Sequence, residues 1–449
     1  MGCRYQTFMG FAWIALNVTA MTEARADADA CARVASAVLD DVTIEAATLQ
    51  PAGEAVEGAF PLDPNGATST TPVSGLPGFC RILGSAQPEA ASNIRFEVWL
   101  PSEGWSGRFM GGNNGGFAGY ISYGDLAAAV ATGHASASTD TGHVGSTQAD
   151  STWAKGHPER VRDYGFRAIH VTTVAAKRLI ASYYGRGPDY SYFMGCSNGG
   201  RQGLMEAARF PEDYDGIIAG APAANFTALA AAFASTVQAQ MEPGAVLGAD
   251  QMSALQAEVL KQCDGLDGQV DGLVAAPMAC RLDTTHLSCS TELTSECFTP
   301  AQLEALTRIL EGRRDGFRRT SAAGFPSSGA EAGPLGWGGW LAADRQDPTP
   351  HAVFAYGLLQ NLMQQPTATP ETFDFAQDQQ ALDAALGRDL NVEPRLRPFF
   401  ARGGKLIMWQ GWADAAVPAR LTLAFYGQVW RDAGWAALDA LRLFVYLGC

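Results

Sequence analysis

The chain has 449 residues, of which 47% are hydrophobic and 17% charged, with 50 glycines and a formal net charge of −15. Such a chain buries a large core and makes one big domain with an insertion, or two domains. The negative charge argues against nucleic acid or an anionic membrane surface as partner. No apolar run of about eighteen residues follows the N-terminal stretch, so no membrane span is expected.

Residues 1–26 read as a secretory signal: Arg4 supplies a positive start, Phe8 to Leu16 an apolar centre, and Ala24-Arg25-Ala26 a cleavage site. The expected location is secreted or periplasmic. Nine cysteines fit that reading, since Cys3 leaves with the signal and an oxidising compartment would pair the others.

The segment 27–225 is expected to carry most of a sheet-and-helix core. Around Cys31 to Leu39 the residues suit a helix, then loops rich in Pro, Gly and Thr run to Ile82, tied down by a Cys31–Cys80 bridge. Ile94 to Leu100 alternates apolar and polar, the pattern of a half-buried strand. Trp105 to Met110 leads a second strand into Gly111-Gly112-Asn113-Asn114-Gly115-Gly116-Phe117. A loop this rich in glycine presents bare N–H groups, as an oxyanion hole needs, or it is only a flexible surface turn. A helix is expected over Ala127 to Thr132, a strand over His134 to Thr139, a long amphipathic helix over Tyr164 to Tyr184, and a strand over Tyr214 to Pro222. Strands alternating with helices mean a mostly parallel sheet covered on both faces.

Within this core, Tyr190 to Cys196 reads as a strand and Leu204 to Arg209 as a helix, joined by Gly195-Cys196-Ser197-Asn198-Gly199. Strand, sharp turn and helix form the context of a G-x-S-x-G nucleophile elbow, whose glycines let the two backbones pass closely. The alternative is an ordinary Gly-rich turn. Ser197 is the candidate nucleophile.

From Phe226 the pattern changes. Residues 226–395 are helical or irregular and are expected to form an inserted lid, after which 396–449 returns to the core with strands at Lys405 to Gly411 and Leu441 to Tyr446. A serine needs a base and an acid to orient it, in the chain order Ser, Asp/Glu, His in folds built on this elbow. Asp414, in the loop after the first returning strand, fits the acid, with helix capping as its alternative. None of the histidines (His134, His143, His157, His170, His286 and His351) follows Asp414. His143 or His351 would have to reach the base's place from another loop, so this chain is expected to lack the base.

In the lid, Asp264, Asp267 and Asp271 cluster between Cys263 and Cys280, which would bracket the loop as a disulfide. Several hard oxygens, with backbone carbonyls at Gln269 and Leu273, suit Ca²⁺. A solvated acidic turn is the alternative.

Together, Ala137 to His143, Tyr164 to His170, Gly195 to Gln202 and Gly216 to Pro222 resemble the tannase/feruloyl esterase family of α/β-hydrolases. The resemblance implies an α/β-hydrolase core with a Ca²⁺-binding lid. It casts Ser197 as nucleophile, Asp414 as triad acid, and the N–H groups of Asn198 and Gly116 as oxyanion hole. It implies Asp264, Asp267, Gln269, Asp271 and Leu273 as Ca²⁺ ligands, and adds Cys289, Cys297 and Cys196 to the disulfide-forming set. In the family the cysteine before the serine pairs with one just after the catalytic histidine; Cys196 matches, whereas Cys449 falls short of its place. The family's substrates share an aromatic acyl group, which suits Trp337, Trp340, Phe354 and Tyr356 as substrate-binding residues. The expectation is a serine esterase for small aromatic esters such as plant phenolic esters. Its alternatives are a non-catalytic protein binding aromatic acids and, more remotely, a metal-dependent hydrolase.

Overall fold

The computed structural model describes residues 28–57, 72–290, 295–314, 320–343 and 347–447. The signal segment, Cys3 and Cys449 lie outside the described residues. The core strands are β1 (Val42–Gln50), β2 (Phe79–Ala86), β3 (Ile94–Pro101), β4 (Arg108–Gly111), β5 (Ala135–Thr139), β6 (Tyr190–Cys196) and β7 (Gly216–Gly220). The lid contributes the short antiparallel pair β8 (Gly312–Arg314) and β9 (Thr320–Ala323), and the core resumes with β10 (Lys405–Gly411) and β11 (Leu441–Tyr446).

One sheet runs in the order β1-β2-β3-β5-β4-β6-β7-β10-β11. Its first three pairings are antiparallel and every pairing from β5 to β11 is parallel. Parallel strands need helical crossovers, which cover both faces. Hence all five residues of β5 are buried. The expected α/β architecture with a mostly parallel sheet is the observed one.

The first strands depart from expectation. Where loops were expected, β1 and β2 pair along their whole length, and the Cys31–Cys80 disulfide fastens the preceding segment to β2. The edge strand β1 is nowhere fully buried, but Val42-Thr43-Ile44-Glu45-Ala46 alternates, and Val42, Ile44 and Ala47 pack against the core. The long helix expected over Tyr164 to Tyr184 is present and is entered from a helical turn at Pro158–Arg162 through a π-helical turn over Asp163–Arg167.

Two large apolar clusters make up most of the described interior, with a third, smaller one around Phe79, Trp99 and Leu126. One is built on the sheet and its flanking helices. The other joins lid residues such as Phe233, Leu255, Leu306 and Leu358 to Phe117, Tyr164, Ala415 and Val417 from loops at the carboxyl ends of the core strands. Segment 226–395 thus packs over the sheet's carboxyl edge, where ligands of open α/β folds bind.

Candidate active site

The turn between β6 and the helix Asn198–Arg209 brings the candidate residues together. Ser197 has φ 60° and ψ −120°, a conformation costly for a residue with a Cβ. Its surroundings hold it there: Ser197 N–H donates to the Gly220 carbonyl at 2.9 Å, and the Ala223 N–H donates to the Ser197 carbonyl at 3.2 Å. The flanking glycines are steric requirements. A Cβ on Gly195 would stand 2.5 Å from the Gly199 backbone, and one on Gly200 would run into the Gly220 carbonyl. Strand and helix can cross this closely only without those carbons.

The Gly-rich loop after β4 lies beside the elbow and is fixed by side chains of the same helix. Gln202 accepts the Asn114 N–H at 3.1 Å and donates to Asn114 Oδ1 at 3.2 Å, while Asn198 Nδ2 donates to the Asn114 carbonyl at 3.1 Å. Arg201, fully buried, donates twice to Asn198 Oδ1, at 2.9 and 2.7 Å, and also to the Gly165 and Tyr164 carbonyls. In the loop, the N–H groups of Asn113, Asn114, Gly115, Phe117 and Ala118 all donate within the protein. Gly116 N–H has no acceptor among the described residues, and neither has the Asn198 N–H at the start of its helix. Gly116 sits at φ 53°, held by Phe117 N–H donating to the Gln148 carbonyl at 2.7 Å and by Tyr164 OH donating to its own carbonyl at 2.9 Å. The Gly116 and Asn198 N–H groups are therefore left free beside Ser197, one from each element.

These groups open on a cavity of about 310 Å³ lined by Gly115, Gly116, Gln148, Cys196, Ser197, Asn198 and Asp414 on the core side. Asp414, largely buried, accepts the N–H groups of Ala416 and Val417 at 2.9 and 2.8 Å and the Gln410 amide at 3.2 Å. These bonds fix the carboxylate in the turn after β10. Cys196 stands at the same wall as a free thiol with no disulfide among the described residues, and surrounding atoms, then the Asp414 charge, push its pKa up to about 11.

The lid side is apolar. Phe226, Leu229 and Phe233 come from one face of the helix Phe226–Ala239, and Leu335, Trp340, Phe354 and Leu358 complete the wall. Trp340 stacks against Phe354 with ring centroids 6.2 Å apart. Two expected substrate-binding residues do not line this cavity. Trp337 is buried in the lid's own core and does not reach the cavity, although Trp340 on the same short helical turn does. Tyr356 turns away, its hydroxyl 2.8 Å from both carboxylate oxygens of Glu371. The sequence reading missed Phe226, Leu229 and Phe233, whose spacing of three and four along a helix that follows a strand end was the available signal. It also missed Gln148.

The histidines weighed as substitute bases are elsewhere. His143 stacks on Trp153 with centroids 3.6 Å apart and donates Nε2–H to the Phe117 carbonyl at 2.8 Å. Burial pushes its pKa down to about 3. His351 donates Nε2–H to the Ala415 carbonyl at 2.7 Å, has Thr236 Oγ1 2.8 Å from Nδ1, and is pushed down by burial to about 4. It braces the Asp414 loop from the lid. Neither imidazole is placed to take a proton from Ser197, and no histidine lines the cavity among the described residues.

In the acidic loop, disulfides join Cys263 to Cys280 and, further on, Cys289 to Cys297. Asp264 accepts the N–H groups of Asp271 and Gly272 at 3.2 and 3.0 Å, Asp267 accepts that of Gln269 at 2.9 Å, and Asp271 that of Leu273 at 3.1 Å. Each carboxylate shapes the loop through a backbone N–H. Asp267 and Asp271 keep one oxygen each out of these bonds, so the donor set is hard oxygen throughout and fits a hard cation.

The family model "Tannase and feruloyl esterase" matches residues 80–448. An uncharacterised esterase of Xanthomonas campestris pv. campestris is 37% identical over 426 residues, covering 91% of this chain and 71% of that protein. A probable feruloyl esterase B-2 of Aspergillus flavus is 32% identical over 361 residues, covering 78% of this chain and 65% of the relative, so the chain spans less than two thirds of that protein's length. The crystal structure of feruloyl esterase B from Aspergillus oryzae superposes with a TM-score of 0.82 at 26% identity, over 93% of this chain and 82% of that one. With an elbow serine, a Gly-rich loop beside it and an acid after β10, all facing one cavity, the chain belongs to the tannase and feruloyl esterase family and has its α/β-hydrolase-type fold.

Proposed function

We propose that this protein is a serine esterase acting on small aromatic carboxylic esters, feruloyl (or other hydroxycinnamoyl) and galloyl esters, through an acyl-enzyme. The observation that carries the reading is the strained Ser197 beside two unspent N–H groups, on the floor of a cavity whose other walls are aromatic and aliphatic. Ser197 Oγ attacks the ester carbonyl, and the Asn198 and Gly116 N–H groups bind the oxygen as it becomes negative. The alcohol leaves, and water then releases the acid from Ser197. Phe226, Phe233, Trp340 and Phe354 hold the aromatic acyl group. No side chain lining the cavity apart from Asp414 carries a formal charge, which suits an uncharged acyl ring.

Asp414 is assigned as the acid that orients the base. With His143 and His351 locked by carbonyl acceptors, the chain as given is expected to turn over slowly. The test is hydrolysis of methyl ferulate and methyl gallate by the chain as given and by a form extended with a C-terminal segment bearing His-Cys, each with Ser197→Ala. Serine-dependent turnover that rises with the extension supports the esterase. Loss of a triad member costs about 10⁴- to 10⁶-fold in kcat, so Ser197→Ala in the active form is expected to fall by that much. Tight binding of ferulate or gallate with no turnover in either form favours the second reading, a protein that binds aromatic acids without catalysis.

We further assign a structural Ca²⁺ to the lid loop, held by Asp264, Asp267, Asp271 and the carbonyls of Gln269 and Leu273. The ion would tie the disulfide-closed loop without touching the reacting atoms. Removing Ca²⁺ with a chelator is expected to lower Tm by a few degrees, reversed by Ca²⁺ and absent in Asp264→Asn; an unchanged Tm in the parent would count against it. Secretion or periplasmic export is supported by the three disulfides, which persist in oxidising compartments.

A further inference from the structure

Toward the C-terminal end of the nucleophile helix, away from Ser197, three potential ligands meet: His170 from the helix Ala168–Tyr184, Glu206 from the helix Asn198–Arg209, and Asp213 from the turn before β7. One ligand atom from each lies within 4.8 Å of the others. His170 Nδ1 is 2.6 Å from Asp213 Oδ2, and its ring is braced by stacking on Phe210 with centroids 3.7 Å apart. Glu206 is 1% exposed, and its carboxylate oxygens have no hydrogen-bond partner other than the adjoining carboxyl group of Asp213. A buried carboxylate so placed is costly to keep charged, and such groups are paired, protonated or bound to metal. The nearest cation does not pair with it, since Lys177 Nζ donates to the carbonyls of Glu212 and Asp213.

We propose that His170, Glu206 and Asp213 form a binding site for a divalent transition-metal ion of the Zn²⁺ or Co²⁺ class. Two carboxylates supply the two negative charges that neutralise the ion, and an imidazole nitrogen selects a transition metal over the Ca²⁺ suited to the all-oxygen lid loop. The proton held between His170 and Asp213 stands where the ion would enter, and those two atoms need part by less than about 1 Å to reach the ligand spacing of a tetrahedral site. Access is from His170, which is half-buried and lines a cavity of about 170 Å³ flanked by Asp40 and Asp41. The ion would pin together two helices and the turn before β7, near the C-terminal end of the helix that Ser197 begins. This inference stands apart from the esterase reading: it uses none of the residues lining the substrate cavity.

The test is titration of the full chain, stripped by chelator and then held in excess Ca²⁺, with Co²⁺ read by its visible d–d absorption and by metal content per chain. One equivalent of saturable Co²⁺, displaced by Zn²⁺ and accompanied by a rise in Tm, is expected. Glu206→Gln and His170→Gln should each weaken binding by more than about 100-fold, beyond what losing an outer partner costs, while Asp264→Asn leaves it unchanged. Glu206→Gln keeps the shape of a protonated Glu206 and so preserves the packing; if it nonetheless fails to fold, His170→Gln and Asp213→Asn carry the test. No saturable Co²⁺ band in the parent, or parent-like binding in the folded ligand variants, overturns the proposal and leaves a proton shared by Glu206 and Asp213 as the site's resting content.

Discussion

The floor and the roof of the cavity are made by different means. The core side is backbone: a serine held at positive φ, glycines where strand and helix cross, and two N–H groups left over after Gln202, Arg201 and Asn198 have fixed everything around them. The lid side is side chain: rings from one helix face, Trp340 and Phe354, held over the sheet by apolar packing. A backbone site tolerates little change, because its donors are fixed by neighbours that have no slack. A wall of rings can be altered one residue at a time, with losses limited to the contact removed. The chemistry therefore resides below, and the choice of substrate above.

That contrast yields graded predictions. After Ser197→Ala, the largest effect is expected from Gly116→Ala in the active form: the added carbon meets the Gln148 carbonyl at a φ that disfavours it, so the oxyanion donor moves. Loss of one such donor costs about 10²- to 10³-fold in kcat, with KM little changed, as steady-state kinetics on methyl ferulate would read. A parent-like kcat would take Gly116 out of the oxyanion hole.

Acid comes next and touches both regions, because each buries one neutral imidazole. His143 in the core and His351 in the lid have folded pKa values near 3 and 4, below the ordinary value of about 6.5. The unfolded chain thus binds more protons between those values, so their contribution to stability is complete above about pH 6.5 and is lost as pH falls below it. Each is expected to cost at most about 1.4 kcal/mol per pH unit in that window. Denaturant melts at pH 6.5 and 5.5 should show the loss, and His351→Gln should flatten part of the slope. A slope unaltered in His351→Gln would mean that the imidazole titrates normally.

The smallest effect separates two residues within the lid. Trp340→Ala removes a ring from the cavity wall and should raise KM for methyl ferulate roughly tenfold, the scale of about 1.4 kcal/mol of lost contact. Tyr356→Phe, whose hydroxyl faces Glu371, should leave KM within about twofold. Equal effects would erase the distinction drawn between the two rings.

The same contrast explains what could be read from the sequence. Gly195 to Gly199, the Gly-rich loop and Asp414 are local patterns whose meaning comes from backbone geometry, and the structure places all of them around one cavity. Trp337 and Trp340 share one short turn, and which of them reaches the cavity depends on distant packing that leaves no local mark. The edge strand β1 was missed because its alternation is short: it runs from Val42 to Ala46 and is broken at Ala46-Ala47, just after the pairing register shifts between Ile44 and Ala46. The free donor at Gly116 could be located only once the partners of its neighbours were known. The group of His170, Glu206 and Asp213 was equally hidden, its members coming from three separate elements.

The central claim is that Ser197 is the nucleophile, and an activated ester tests it most directly because its leaving group needs little help from a base. The protein would be incubated with p-nitrophenyl ferulate, quenched, and its intact mass and peptides measured. A single feruloyl adduct on the peptide containing Ser197, absent in Ser197→Ala, is the expected result. Release of p-nitrophenol that persists undiminished in Ser197→Ala, with no adduct on that peptide in the parent, would contradict the account.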